Sequence, residues 1–225
     1  MCFSAQASFA GGVIISAIGV FTIRKVHKPS QIIFASIPLF FGLQQIAEGI
    51  LWIALPLGEY EVLQKTAAYT FLVMAQVIWP VMIPLSVLFM EENEKKKKIL
   101  KGLLLVGIIL SIYYASCLLF CNVHPQIKGY HIQYNNDFPV HLMPFSFILY
   151  LTSTITPLFV SGIKRTHLMG ILMAFSCLVT AIFFSQYLTS VWCFFAALLS
   201  CVVYWILSDS KKQFILEKLL LLKKI

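Results

Sequence analysis

A chain of 225 residues that is 60% hydrophobic and only 12% charged, with a mean hydropathy of +0.87, has the composition of a membrane protein. A soluble reading would need several helices buried on every side inside one small core. The formal charge of +8 does not point to nucleic acid, because its Lys and Arg residues sit in short loops and in the tail. There they orient spans and meet anionic lipid headgroups.

The first apolar run, 9–23, is shorter than the roughly 20 residues a crossing helix needs. Ser4 is a good N-cap, and a helix over 4–23 is long enough; it places Cys2 at the membrane surface. Further spans follow at 31–55, 62–90, 99–120, 140–163, 167–184 and 187–207. The third is longer than a crossing requires and contains Pro80 and Pro84, so a kink or tilt is expected. The reading is an all-α, seven-transmembrane-helix bundle forming one integral membrane domain over 1–225. MCFSAQASF has no basic n-region and no small-residue cleavage site after a short apolar core, so no signal peptide is expected.

The gaps between spans alternate in charge. Arg24, Lys25 and Lys28 fill the first, Lys95 to Lys98 the third, Lys164 and Arg165 the fifth, and Lys211 and Lys212 follow the last span. The opposite gaps hold Glu59, Glu61 and Lys65, then Lys128 and Asp137, then no charge. The positive-inside rule puts the N-terminus outside and the C-terminus in the cytoplasm. The tail, 211–225, mixes Lys with Phe, Ile and Leu, as a basic amphipathic segment at the inner interface does. Small residues at helical spacing mark packing faces: Ser8, Gly12 and Ser16, then Ala196 with Ser200 and Ala197 with Cys201.

Glu48 is the residue that demands a reason. It lies about seven residues from the outer end of its span, roughly 10 Å into the membrane at about 1.5 Å per residue. A carboxylate there costs several kcal/mol unless it is paired or hydrated, so such acids are functional suspects. Gln44 at i−4, Gln45 at i−3 and Trp52 at i+4 extend a polar stripe along the same helix. The bland alternative is a protonated Glu48 bonded to Gln44 or Gln45, holding two helices together. Gln76 and Trp79 add a mid-depth pair that lines a cavity or bonds between helices.

The longest outer loop, 121–139, carries His124, His131 and Asp137, and His141 opens the next span. Cys2, Cys121 and Cys193 also map to the outer side, where disulfides are permitted, with Cys117 one turn inward. Imidazole and thiolate suit Zn²⁺ or another transition metal, yet no CxxC or HExxH spacing occurs, so a metal site would have to be assembled in space. Cys177 and Cys201 fall within spans as small core residues. The last span has no Lys for a retinal Schiff base, paired mid-membrane histidines for haem are absent, and no nucleotide motif appears.

MCFSA at the start, the Gln45–Glu48–Trp52 stripe, GYHIQY at Gly129–Tyr134 and SVWC at Ser190–Cys193 resemble an uncharacterised family of bacterial multi-pass membrane proteins, a domain of unknown function. The resemblance implies the bacterial inner (plasma) membrane, and its motifs converge near the outer surface. Where that family has a His–Gln pair ahead of the acid, this chain has Gln44–Gln45, which removes one candidate ligand.

The functional expectation is a polar pocket in the outer half of the bundle. Its leading form is a metal-assisted hydrolase acting on a lipid or other membrane-accessible small molecule. Cys2, Glu48, His131 and His141 would hold a divalent metal such as zinc. Glu48 would be ligand or general base toward a metal-bound water, with Gln45 and Trp192 beside it. The alternatives are a transporter or channel with Glu48 as cation or proton site, and a sensor or accessory subunit. Membrane lipids are the expected surroundings.

Overall fold

A computed structural model describes residues 4–183, 185–187, 189–192, 195 and 199–208 of the chain. Cys2, Cys193, Ala196, Ala197 and the tail 211–225 lie outside them. The described chain is helical apart from one β-hairpin. Its helices are α1 (Ala5–Ile23), α2 (Ile32–Leu57), α3 (Glu61–Leu72), α4 (Trp79–Met90), α5 (Glu94–Phe120), α6 (Met143–Val160), α7 (Lys164–Phe183) and α8 (Leu199–Ser208). Among the described residues six helical segments are long and apolar enough to cross a membrane, α3 and α4 counting as one. The chain is a multi-pass membrane protein.

Local chemistry sets the ends. Ser4 caps α1, its Oγ accepting from Ala7 N at 3.2 Å. Asn93 caps α5 by accepting from Lys95 N and Lys96 N at 2.9 and 3.3 Å. That cap carries the helix through the lysine run, so the fourth span starts at Glu94 rather than at 99. The sixth likewise starts at Lys164 rather than 167. The last span expected, 187–207, is described only as a 3₁₀ turn at Ser185–Tyr187, helical residues at 189–192, and α8.

The expected kink between α3 and α4 takes the form of a π-helical turn over Val73–Ile78. Pro80 explains it. Trp79 N–H donates to Met74 O, five residues back. Ala75 O is passed over by Trp79, and the next residue, Pro80, has no N–H to offer. The orphaned carbonyl is taken by Tyr150 Oη–H from α6 at 2.7 Å. Pro84 in turn lacks the N–H that would reach Pro80 O, and α5 packs Gly107 directly on that carbonyl. A side chain at 107 would collide with backbone.

The small-residue row of α1 does pack. A Cβ added at Gly12 would meet Ile46 Cγ1 at 2.8 Å, and one at Gly42 would meet Gly12 O at 2.9 Å, so α1 and α2 touch backbone to backbone. Cys177 is buried as expected, but Cys201 is exposed, because the Ser200 face of α8 is the one turned inward.

Segment 121–139, read as a loop, contains an antiparallel hairpin, β1 (Val123–Lys128) and β2 (His131–Asn136), with Lys128 opposite His131. Gly129 has φ +60 and Tyr130, like every other described non-glycine residue, does not have positive φ, so Gly129–Tyr130 is a type II′ loop. Ile132 is fully buried against Leu51, Ala67 and Ala68, seating the hairpin on the ends of α2 and α3.

The opposite end of the bundle carries the basic loops. There Glu91 reaches across to α6–α7: Gly162 N donates to its Oε2 at 2.5 Å, while Glu92 N and Asn93 N donate to its Oε1 at 3.1 and 3.0 Å. Arg165 stacks its guanidinium 4.0 Å from the Trp205 ring, tying α7 to α8. Between the two ends a core of Phe34, Ile37, Ile83, Leu158, Met169 and Leu207 joins α2, α4, α6, α7 and α8.

Candidate functional site

Gln44, Gln45 and Glu48 on α2 are all buried, the last two completely. Successive residues of a helix are about 100° apart, so the two glutamines cannot serve one partner equally. They diverge. Gln45 Nε2–H donates to Glu48 Oε2 at 3.4 Å, whereas Gln44 Oε1 accepts from Trp79 Nε1–H at 2.9 Å. Of the two partners considered for Glu48, Gln45 is the one used; Gln76 and Trp79 divide their expected roles, Trp79 bonding between helices.

The stronger partner comes from the far end of the chain. Ser190 Oγ–H donates to Glu48 Oε1 at 2.6 Å, and Ser190 is itself fully buried. Each carboxylate oxygen therefore accepts from a neutral donor. In a membrane interior such bonds are what keep a carboxylate from being prohibitively costly. Gly49, the next residue, has no side chain, and the Phe9 ring lies 3.1 Å from where a Cβ would stand, so α1 closes over this turn of α2.

Beside this cluster lies a cavity of about 120 Å³ between α2, α4, α5, α6, α7 and the 189–192 segment. Its walls are aromatic. Phe41 and Trp79 stack with centroids 4.1 Å apart, and Tyr150 meets Trp192 at 6.0 Å. Trp192 is held in place by donating Nε1–H to Ser176 Oγ at 2.9 Å. Gln44 and Thr189 line the cavity, one turn before Glu48 and one residue before Ser190, so the acid lies just behind the wall. Among the described residues no charged one lines it. Gln76 does, from the π turn, and its amide makes no hydrogen bond to any described residue; its Oε1 is buried and unmet.

The expected metal ligands are placed apart. His131 is half-buried on β2, stacked on Tyr187 at 4.7 Å, and burial holds its pKa below the usual 6.5, so the imidazole is neutral at pH 7. His141 is exposed in the 3₁₀ turn Val140–Leu142. His124 faces Asp137 at 3.6 Å, both largely exposed. Among the described residues no three His, Cys, Asp or Glu side chains are grouped to hold an ion, and Cys2 lies outside those residues. Cys117, Cys121, Cys177 and Cys201 are free thiols.

Of the residues singled out in the sequence, Gln45 and Glu48 are bonded to each other and Trp192 lines the cavity, while the motif SVWC includes Ser190 without marking it as a partner of Glu48. Tyr150 and Ser176 are not among the residues singled out. Neither carries a local signal: each is one hydroxyl among many in apolar helices.

The chain matches the model of a family of unknown function (DUF6629) over residues 1–215, and it belongs to that family. No curated protein matches it.

Proposed function

We propose that this member of a family without assigned activity is a membrane-embedded binding protein, holding a small membrane-soluble molecule in the aromatic cavity with Glu48 as the polar group behind its wall. In this reading the chain is a single seven-span bundle in the bacterial plasma membrane. Its N-terminus and hairpin face outward, and its basic loops and tail lie in the cytoplasm.

One observation carries the reading: an uncharged cavity inside a membrane bundle whose wall is shared with the only turn of α2 that buries a carboxylate. Such concave, mostly apolar sites with a few placed polar groups are the usual form of small-molecule sites. A through-going conduction path has less support. Toward the lysine end the buried hydroxyls of Ser86, Ser153 and Thr166 each donate to a carbonyl of their own helix or its preceding turn. Native mass spectrometry of the full chain released from membranes tests the reading. A bound small molecule is expected, and Glu48→Gln or Ser190→Ala should reduce its occupancy. An empty wild-type protein, or equal occupancy in all three, overturns it.

A second reading keeps the acid and adds a metal. Gln45 Oε1 is fully buried and without a partner among the described residues, and it belongs to the same side chain that bonds Glu48. An oxygen so placed suits a cation held jointly with Glu48. Cys2, His131 or His141 would have to complete the set, and a bound divalent ion would supply Lewis acidity for hydrolysis of a lipid. The described donors alone do not make that set. Metal analysis of purified protein decides it: a stoichiometric ion lost in Glu48→Gln supports it, and a metal-free wild type removes it.

A further inference from the structure

The dimensions and walls of the cavity narrow what it accepts. About 120 Å³ is slightly smaller than the roughly 150 Å³ engineered apolar cavity known to take benzene. The space is of a size to hold one ring between its walls. Two aromatic pairs face it, Phe41 with Trp79 and Tyr150 with Trp192, and Met169 and Met173 of α7 add polarizable sulfur. These are surfaces on which a flat ring stacks or meets edges favourably.

Gln76 supplies the polar requirement. The other polar wall groups at this level are already engaged: Gln44 Oε1 with Trp79, Tyr150 Oη with Ala75 O, Tyr114 Oη with Ser146, and Thr154 Oγ1 with Tyr150 O. The Gln76 amide alone has neither its donor nor its acceptor matched among the described residues. In surroundings of this polarity an unmet amide costs about 1–3 kcal/mol, which a ligand group able to donate and accept would recover. A charged ligand is disfavoured, since no described residue brings a countercharge to the wall.

We propose that the cavity selects a neutral single-ring aromatic bearing one hydroxyl or amide group, with the ring between the two aromatic pairs and the polar substituent on Gln76. This rests on the binding reading given above and specifies its ligand class. The π turn is what aims Gln76 inward: it adds one residue to the turn just before Pro80, and Tyr150 holds the turn open by binding Ala75 O.

The test uses the full chain in lipid nanodiscs, with 4-fluorophenol and 4-fluorotoluene as probes read by ¹⁹F NMR against empty nanodiscs. Thr154→Leu and Ala75→Phe, from α6 and the π turn, serve as cavity-filling controls. 4-Fluorophenol is expected to bind about tenfold more tightly than 4-fluorotoluene after correction for partition into lipid. Gln76→Leu should abolish that preference while still admitting the toluene, and both filling variants should weaken both probes. If the two probes bind equally and Gln76→Leu changes nothing, the polar selection is wrong while the cavity remains a binding site. If neither probe gives a signal that the filling variants reduce, a single ring is not the ligand. The mass-spectrometric occupancy then separately decides whether the cavity binds anything.

Discussion

Ser190 and Glu48 stand 142 positions apart, and the serine hydroxyl donates to the carboxylate Oε1 at 2.6 Å. It is shorter than the bond that Gln45 donates to the same acid, at 3.4 Å. Ser190→Ala should therefore lower stability by about 1–3 kcal/mol, the cost of removing a donor from a buried acceptor. With Glu48→Gln already present, the same change should cost less, because a neutral amide has less need of the bond. A double-mutant cycle on detergent unfolding measures the coupling; additive effects would contradict the pairing.

Two glycines of α5 give an internal comparison. Gly107 lies against Pro80 O, whereas no described residue stands within 4 Å of a Cβ at Gly102. Gly107→Ala should destabilise by about 1–3 kcal/mol through displacement of α4. Gly102→Ala should be neutral or stabilise by up to about 1 kcal/mol, since alanine is the better helix former. Thermal unfolding of the two variants side by side checks the sign of each.

Tyr150 holds the π turn through one atom, its hydroxyl oxygen. Tyr150→Phe keeps the ring but leaves Ala75 O without the donor it has at 2.7 Å. A loss of about 1–3 kcal/mol is expected, together with faster hydrogen exchange over 73–78. Unchanged exchange in that segment would mean the hydroxyl does not hold the π turn.

Glu91 brings pH dependence to the lysine end. Partial burial pushes its carboxyl up, but the N–H groups of Asn93, Gly162 and Glu92, with the Lys96 charge, more than offset this and hold it below the usual 4.5. A group whose folded pKa is depressed stabilises the protein fully above its unfolded value. That contribution fades as pH falls through the folded value. Wild-type stability should thus decline on acidification below about pH 4.5, and the difference between wild type and Glu91→Gln should shrink over the same window. Unfolding midpoints measured from pH 7 to pH 3 show whether it does.

The hairpin has a signal in the sequence. Val123 to Asn136 contains alternating apolar and polar residues around Gly129–Tyr130, a loop signal of the Gly-X kind. Its position between two membrane spans masked it, since a stretch of that length with several polar residues reads equally well as an open loop. The π turn was half legible: Pro80 and Pro84 announced a disturbance, but a kink, a tilt and a widened turn remove the same backbone bond.

The spans, the grouping of basic loops at alternate gaps, and the need of Glu48 for partners follow from the sequence by itself. Hydropathy, charge placement and the cost of a carboxylate in hydrocarbon are all properties of short stretches. Which partners Glu48 has was decided only by the tertiary structure. Gln44 and Gln45 are equivalent candidates on a helical wheel until α4 presents Trp79 to one of them. Ser190 is one serine among many until the residues after α7 fold back beside α2. Those choices depend on which helix faces meet, and that is set by contacts such as Gly12 on Gly42 and Gly107 on Pro80, summed over the whole bundle rather than written at any one position.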